Sequence, residues 1–258
     1  MRILITGSSG KLGSALVRSF AQEHELVQLD LVPPQNEEQY RWGTVHVGSV
    51  TDRERVETVT EDVEVIIHCG AIPWKKAPFD TLLTTNVSGT VNLLEAAGRR
   101  PSVRQFIFIS TIRVHGVLET SDAEFLPKFL PFDETHPYLT VEYYGGSKLH
   151  AEHWCRMYVK RFGKPVIAFR PSTIVSIPEG KPFPAKPAPD RPDLNQYVAT
   201  SDVIIAIRLA LDYEPESGFE AFLLHANDQR STTPSLELVR RWFTGIPYDK
   251  EKLERCNG

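Results

Sequence analysis

The first twenty-one residues constrain this chain more than any other stretch. Ile3-Leu4-Ile5 is an unbroken apolar run, the pattern of a central parallel strand covered on both faces. It runs into Thr6-Gly7-Ser8-Ser9-Gly10-Lys11-Leu12-Gly13, after which Ala15, Leu16, Val17 and Phe20 follow at helical spacing. Strand, glycine turn and helix in that order predict the opening unit of a doubly wound α/β sheet. Glycines let such a turn close tightly and let its backbone approach a pyrophosphate, which then rests on the first amides of the helix. The spacing is Gly-x-x-Gly-x-x-Gly, not the dinucleotide fingerprint Gly-x-Gly-x-x-Gly. It is not a P-loop either, since that motif needs four residues before its Gly-Lys pair and a hydroxyl after it.

The rest of the chain keeps the α/β rhythm. A second strand over 25–29 ends at Asp30, and an acid there accepts hydrogen bonds from adenosine ribose hydroxyls and repels a 2′-phosphate. Asp30 therefore selects NAD over NADP. A third strand over 45–47 precedes Ser49-Val50 and a charged helix over 53–60. A fourth over 63–68 ends in Cys69-Gly70-Ala71, small residues that leave room for a ligand's ring and ribose; His68 reads as a packed histidine. Residues 79–100 carry a long helical pattern with Asn86 and Gly89. A fifth strand over 106–109 delivers Ser110 and Thr111 to the same crevice. After a loop over 127–137 and a helix to about 161 comes a sixth strand over 166–170, then Pro171-Ser172-Thr173. Residues 178–192, rich in proline and basic residues, read as a loop or lid. Tyr197 to Asp202 opens another amphipathic helix with Ser201 or Asp202 near its N-cap, a late strand covers 221–226, and a final helix begins at Ser235.

Within the helix after the loop, Tyr144 and Lys148 stand four residues apart and share a face. A lysine ammonium there favours the phenolate and lowers the tyrosine pKa. A phenol tuned towards neutrality is a general acid or base for an alcohol-to-ketone reaction. The spacing alone recurs by chance in helices; a cofactor site upstream gives it meaning.

Composition closes off other classes. With 29 basic and 33 acidic residues the net charge is −4, so no basic excess marks a nucleic-acid or membrane partner. Cys69, Cys155 and Cys256 form no Cys-x-x-Cys, which argues for a reducing cytoplasm and against a disulfide scaffold or a zinc cluster. No apolar run reaches membrane-spanning length, and the N-terminal run is too short for a signal peptide. A soluble cytoplasmic protein without a metal centre is expected.

Taken together, these stretches resemble the extended short-chain dehydrogenase/reductase superfamily, the NAD-dependent epimerase/dehydratase family. The motifs are residues 6–13, Asp30, residues 68–71, Asn86-Val87-Ser88-Gly89-Thr90, residues 106–111, Tyr144-Gly145-Gly146-Ser147-Lys148 and Arg170-Pro171. The resemblance implies a Rossmann-type parallel sheet with an NAD-binding core over 1–170. A small substrate-binding portion over 171–258 would interleave with it as one structural unit. It implies that Tyr144 exchanges a proton with the substrate hydroxyl, that Lys148 binds the nicotinamide ribose and depresses the Tyr144 pKa, and that Thr111, with Ser110 beside it, stabilises the reacting oxygen. Asn86 would order the site. Gly7, Ser9, Gly10, Lys11, Leu12, Gly13, Asp30, Ser49, Val50, Cys69, Gly70, Ala71, Ile109, Pro171 and Thr173 would complete the NAD site. The family usually carries an acid at the position of Ser49. Pro73 and Thr173 would border a small-molecule substrate, with Arg113, Lys75, Lys76 and Arg191 as anion contacts. A homodimer pairing the Asn86 and Tyr144 helices is expected.

The family's dehydratases place Asp-Glu after the catalytic Thr. Here Ile112-Arg113 follow Thr111, which removes the acid and base of water elimination. The short, proline-rich segment after the sixth strand suits a small free substrate, and the layout is most like the uronate dehydrogenases, whose pattern has Asn-His at 112–113. The expected activity is an NAD-dependent oxidoreductase of a small hydroxylated, sugar-derived substrate. Alternatives are a nucleotide-sugar epimerase and, on the same fold, an NAD(P)-sensing regulatory protein.

Overall fold

A computed structural model describes residues 1–73, 77–116, 127–177, 181, 196–228 and 230–255. Its strands are β1 (Arg2–Thr6), β2 (Glu25–Asp30), β3 (Thr44–Val47), β4 (Val65–His68), β5 (Gln105–Ile109), β6 (Val166–Pro171), β7 (Thr173–Val175), β8 (Tyr197–Ala199) and β9 (Phe219–Leu224). Seven of them form one sheet in the order β3-β2-β1-β4-β5-β6-β9, every pairing parallel. The winding reverses between β1 and β4, and the crevice beyond the C-terminal ends of strands at such a reversal is where ligands bind in this architecture.

Helices cover both faces, which is why the strands are apolar throughout. On one side lie α2 (Arg53–Val59), α4 (Gly89–Arg99) and α5 (Tyr143–Phe162), whose Val56, Leu93, Ala151 and Cys155 pack on Leu4, Ile66, Phe106 and Ala168. On the other lie α1 (Lys11–Phe20) and α6 (Thr200–Ala210). Leu12, Leu16, Val17 and Phe20 make one buried stripe on α1. Each such side chain contributes about 1.5–3 kcal/mol by leaving water. A third, smaller core joins Ile112, Leu130 and Phe132 to α7 (Ser235–Trp242) and α8 (Lys250–Arg255) through Leu238, Val239, Phe243 and Leu253. Residues beyond 171 thus share the small core with residues 112–132 and also contribute α6 and β9 to the main layers.

Three local expectations change. The helical stretch 79–100 is not one α-helix: α3 (Phe79–Leu82) passes through a π-turn, Leu83–Ser88, before α4 begins. The extra residue in such a turn re-aims a side chain, here Asn86. Tyr197 to Ala199 is a strand, paired in parallel with Thr173 to Val175, and α6 starts only at Thr200, capped by Ala199 without a side-chain bond rather than by Ser201 or Asp202. The final helix is followed by α8. Among the described residues no helix is long and apolar enough to cross a membrane.

Candidate active site

The glycine turn is shaped by close approach. Gly7 has φ +69°, and a Cβ there would lie 2.7 Å from the Gly70 nitrogen; a Cβ on Gly13 would lie 2.0 Å from the Gly7 carbonyl oxygen. Only glycine fits either place. Gly10 N–H donates to the Gly7 carbonyl at 3.0 Å, and Gly10 caps α1 with no side-chain bond. The first turn, Lys11-Leu12-Gly13, therefore has no side chain competing for its amides. Asp30 closes the turn from β2. Its carboxylate accepts from Ser9 N–H at 2.9 Å and from Val32 N–H at 3.2 Å. A cavity of about 270 Å³ opens between these elements, lined among others by Gly7, Ser9, Gly10, Asp30, Ser49, Val50, Cys69, Gly70 and Ala71. Leu31, Ile72 and Thr85 also line it, and sequence reasoning had singled out none of the three. The residues fit a dinucleotide: a backbone no side chain obstructs, an uncapped helix start and an oriented acid at a strand end. Ser49 offers a hydroxyl where an acid is usual, and it is engaged with Thr51 at 2.7 Å. Burial pushes the Cys69 thiol up to about 12, with Lys148 acting weakly against that, so it lines the cavity as an inert thiol.

A hydrogen-bonded chain runs from this cavity to the tyrosine helix. Gly70 N–H donates to Thr6 Oγ1 at 3.2 Å, and Thr6 Oγ1 lies 2.6 Å from His68 Nδ1. His68 Nε2 lies 2.9 Å from Thr90 Oγ1, which donates to the Asn86 carbonyl at 2.6 Å. Because the Thr90 proton is used on Asn86, the imidazole proton must sit on Nε2, and Thr6 donates to Nδ1. His68 is neutral: burial, with Lys148 nearby, lowers its pKa to about 3. Asn86 continues the chain. Its Oδ1 accepts from Ile72 N–H at 2.8 Å, and its Nδ2 donates to the Ile72 carbonyl and to Ser147 Oγ at 3.0 Å; Ser147 donates to the Tyr144 carbonyl at 2.7 Å.

Lys148 is buried on α5 and Tyr144, one turn earlier, is half-buried, but the electrostatics differ from the expectation. Burial raises the Tyr144 pKa to about 12; Arg113 acts against this, Glu142 adds to it, and the neighbouring Thr111 hydroxyl favours the phenolate. The cation felt by the phenol is thus Arg113 rather than Lys148. Lys148 Nζ instead donates to the Ile109 carbonyl at 2.6 Å and sits 4.7 Å from the centre of the Phe108 ring. Burial lowers its own pKa to about 8, opposed by Cys69, Cys155 and Glu152. Arg113, on the one-turn 3-10 helix Ile112–His115, pairs with Glu142 just before α5, Nη1 to Oε1 at 2.5 Å.

Ser110 does not join Thr111. Consecutive residues leaving a strand point to opposite sides, and the Ser110 hydroxyl donates to Glu152 Oε1 at 2.6 Å. There it meets a buried ion pair. Arg170 Nε donates to Glu152 Oε1 at 2.9 Å and Nη2 to Oε2 at 2.7 Å, both side chains being 1% exposed. Arg170 also reaches Tyr138 Oη at 2.8 Å and His115 Nε2 at 3.2 Å, and the His115 ring stacks on Tyr138. This network ties β5, β6, α5 and the loop before α5 together. Its signal in the sequence is Tyr144-x-x-x-Lys148-x-x-x-Glu152, which puts an acid on the helix's buried face, and Arg170 ending an otherwise apolar strand. Pro171 is buried at the end of β6, while Thr173 and Pro73 are exposed. Lys75, Lys76 and Arg191 lie outside the described residues. Among the described residues no group of His, Cys, Asp and Glu could hold a metal ion.

Residues 3–191 match the profile of the NAD dependent epimerase/dehydratase family. The chain is 26% identical to L-arabinose 1-dehydrogenase (NAD(P)(+)) of Haloferax volcanii, over 89% of this chain and 90% of that one. It is 27% identical to a uronate dehydrogenase of Pseudomonas syringae pv. tomato, over 84% of this chain and 71% of the other. Among solved structures, a UDP-glucuronic acid 4-epimerase from Bacillus cereus in complex with NAD has a similar fold. Its TM-score is 0.71 at 22% identity, covering 96% of this chain and 86% of that one.

Proposed function

Since the chain belongs to the NAD dependent epimerase/dehydratase family, we propose that it is an NAD-dependent oxidoreductase of a small, sugar-derived hydroxyl substrate. The observation that carries this reading is the half-buried Tyr144 one turn from the buried Lys148, on a sheet whose β1–β4 crevice is lined by Gly7 and Asp30. An L-arabinose 1-dehydrogenase and a uronate dehydrogenase match over 89% and 84% of the chain, which supports free sugars over nucleotide sugars.

In this reading Gly7, Ser9, Gly10, Lys11, Leu12 and Gly13 hold the pyrophosphate, Asp30 the adenosine ribose, Ser49 and Val50 the adenine. Cys69, Gly70, Ala71, Asn86, Pro171 and Thr173 border the nicotinamide end. NAD, when bound, supplies the hydride acceptor. Thr111 donates its single hydroxyl proton to the substrate oxygen, holding that oxygen beside Tyr144. Tyr144 exchanges the substrate's hydroxyl proton: as the phenolate it takes it during oxidation, and as the phenol it returns it during reduction. Lys148, anchored by Ile109, presents its ammonium to the ribose, and the Tyr144 carbonyl is held by Ser147 and Asn86. Ser110 acts through Glu152 as a positioning residue. Pro73, Thr111, Arg113, Tyr144 and Thr173 border the substrate, with residues 171–258 as its side of the cleft.

We also propose a cytoplasmic homodimer. Support comes from the free Cys69 and Cys155 and from Trp154 and Met157, 44% and 45% exposed on α5 beside an apolar groove against α4. A light-scattering mass of one chain would remove the dimer. The activity is tested by screening aldoses, sugar acids and sugar nucleotides for NADH formation, with Tyr144→Phe as control. The variant should lose about 10²–10⁴-fold in kcat while still binding NAD. NAD that copurifies and is not consumed during turnover would favour an epimerase, and an unchanged Tyr144→Phe activity would refute the assignment.

A further inference from the structure

Around the reacting phenol, charge is arranged in a way that selects among hydroxyl substrates. Arg113 follows Thr111 by two residues and Glu142 precedes Tyr144 by two, so each is fixed to one side of the acid/base pair. Arg113 N–H donates to Thr111 Oγ1 at 3.3 Å. The guanidinium and carboxylate meet at 2.5 Å, with side chains 23% and 18% exposed. Both act on the Tyr144 phenol, in opposite senses. Lys148 is buried and turned to the Ile109 carbonyl.

Resting on the oxidoreductase reading above, we propose that the site takes an uncharged polyhydroxyl substrate, a neutral aldose or polyol. It discriminates against the matching sugar acid because, among the described residues, the Arg113–Glu142 pair adds no net charge beside Tyr144. A neutral sugar hydroxyl can accept from an Arg113 N–H and brings no charge against the pair. A carboxylate brings one. To use Arg113 it must compete with Glu142 and then lie beside it, two like charges facing one guanidinium in a partly desolvated place. Glu142 is thus the repulsive element that selectivity requires, and Arg113 on its own would have favoured acids.

The test compares an aldose with its uronate on the NAD-saturated enzyme, for wild type, Glu142→Gln and the charge-swapped pair Arg113→Glu with Glu142→Arg. Two quantities are read: kcat/KM for each substrate, and the inhibition constant of the uronate against aldose oxidation. Wild type should prefer the aldose by about tenfold or more. Glu142→Gln should shift the ratio towards the acid by about tenfold or more, through KM and the inhibition constant rather than kcat. The swapped pair restores neutrality and should keep the aldose preference, which separates charge from packing and stands in if Glu142→Gln fails to fold. A wild type that oxidises uronates better than aldoses overturns the proposal and leaves the oxidoreductase reading intact. An unchanged inhibition constant in Glu142→Gln also overturns it. NAD reduction with neither substrate class strikes the oxidoreductase reading, and this proposal with it.

Discussion

Replacing Arg170 with methionine isolates what the buried ion pair does. In the native chain Glu152 accepts from Arg170 at 2.9 and 2.7 Å and from Ser110 at 2.6 Å, with neither charged side chain more than 1% exposed. Arg170→Met keeps most of the volume but deletes two of those three donors and the counter-charge. A buried pair adds little when compared with a well-packed apolar pair, yet losing one partner strands the other, at a cost of about 3–5 kcal/mol. For a chain of this size that is roughly 6–20 °C in Tm, at about 2–4 °C per kcal/mol. Adding Glu152→Gln removes the stranded charge. The double variant should therefore be more stable than the sum of the two single losses allows. Urea unfolding followed by circular dichroism at neutral pH reads the two single variants and the double one. A loss below about 1 kcal/mol for Arg170→Met, or strict additivity, would refute the argument.

Acid should weaken the native protein through two histidines. Burial lowers His68 to about 3 and His115 to about 4, from 6.5 in the unfolded chain. The unfolded state therefore binds more protons between those values, and stability falls as pH drops below about 6.5, by about 1.4 kcal/mol per unit for each ring. His68→Phe should flatten that slope in urea titrations, and at neutral pH it should cost about 1–3 kcal/mol for the hydroxyls left without a partner. An unchanged slope counts against a neutral, hydrogen-bonded His68. Gly7→Ala places a methyl 2.7 Å from the Gly70 nitrogen at a φ of +69°. It should lower NAD affinity by well over tenfold in fluorescence titration, and wild-type affinity in that variant would show that the turn is not the phosphate cradle.

What the sequence disclosed was local. The glycine turn, Asp30 and the Tyr144–Lys148 spacing are each contained within a few residues, and each lies on the element expected of it. Of the buried network only Glu152 and Arg170 leave a mark in the sequence, because its members are far apart in the chain: Arg170 meets a histidine 55 residues earlier, and nothing near His115 announces it. Ser110 was misread because a hydroxyl next to Thr111 in sequence was taken to be next to it in space, whereas neighbours on an extended backbone diverge. The lysine's influence on the tyrosine was misjudged for a related reason. Helical spacing gives proximity of Cβ atoms, while a long side chain goes where its hydrogen bond is, here the Ile109 carbonyl. Tyr197 to Ala199 is too short for any periodicity to show, and only its pairing with Thr173 to Val175 makes it a strand.

The chain from Gly70 through Thr6, His68 and Thr90 to Asn86 has a consequence for how this sequence can drift. Each proton in it has one donor and one acceptor, so no member can be exchanged alone without leaving another polar atom buried and unmet. Thr6 and His68 are 62 residues apart, and His68 and Thr90 are 22 apart. On three separate elements they nevertheless form one heritable unit. In a descendant that lost the histidine for an apolar ring, both threonines would be expected to become valine or alanine in the same lineage. The route by which the cofactor's floor steadies the tyrosine helix would go with them.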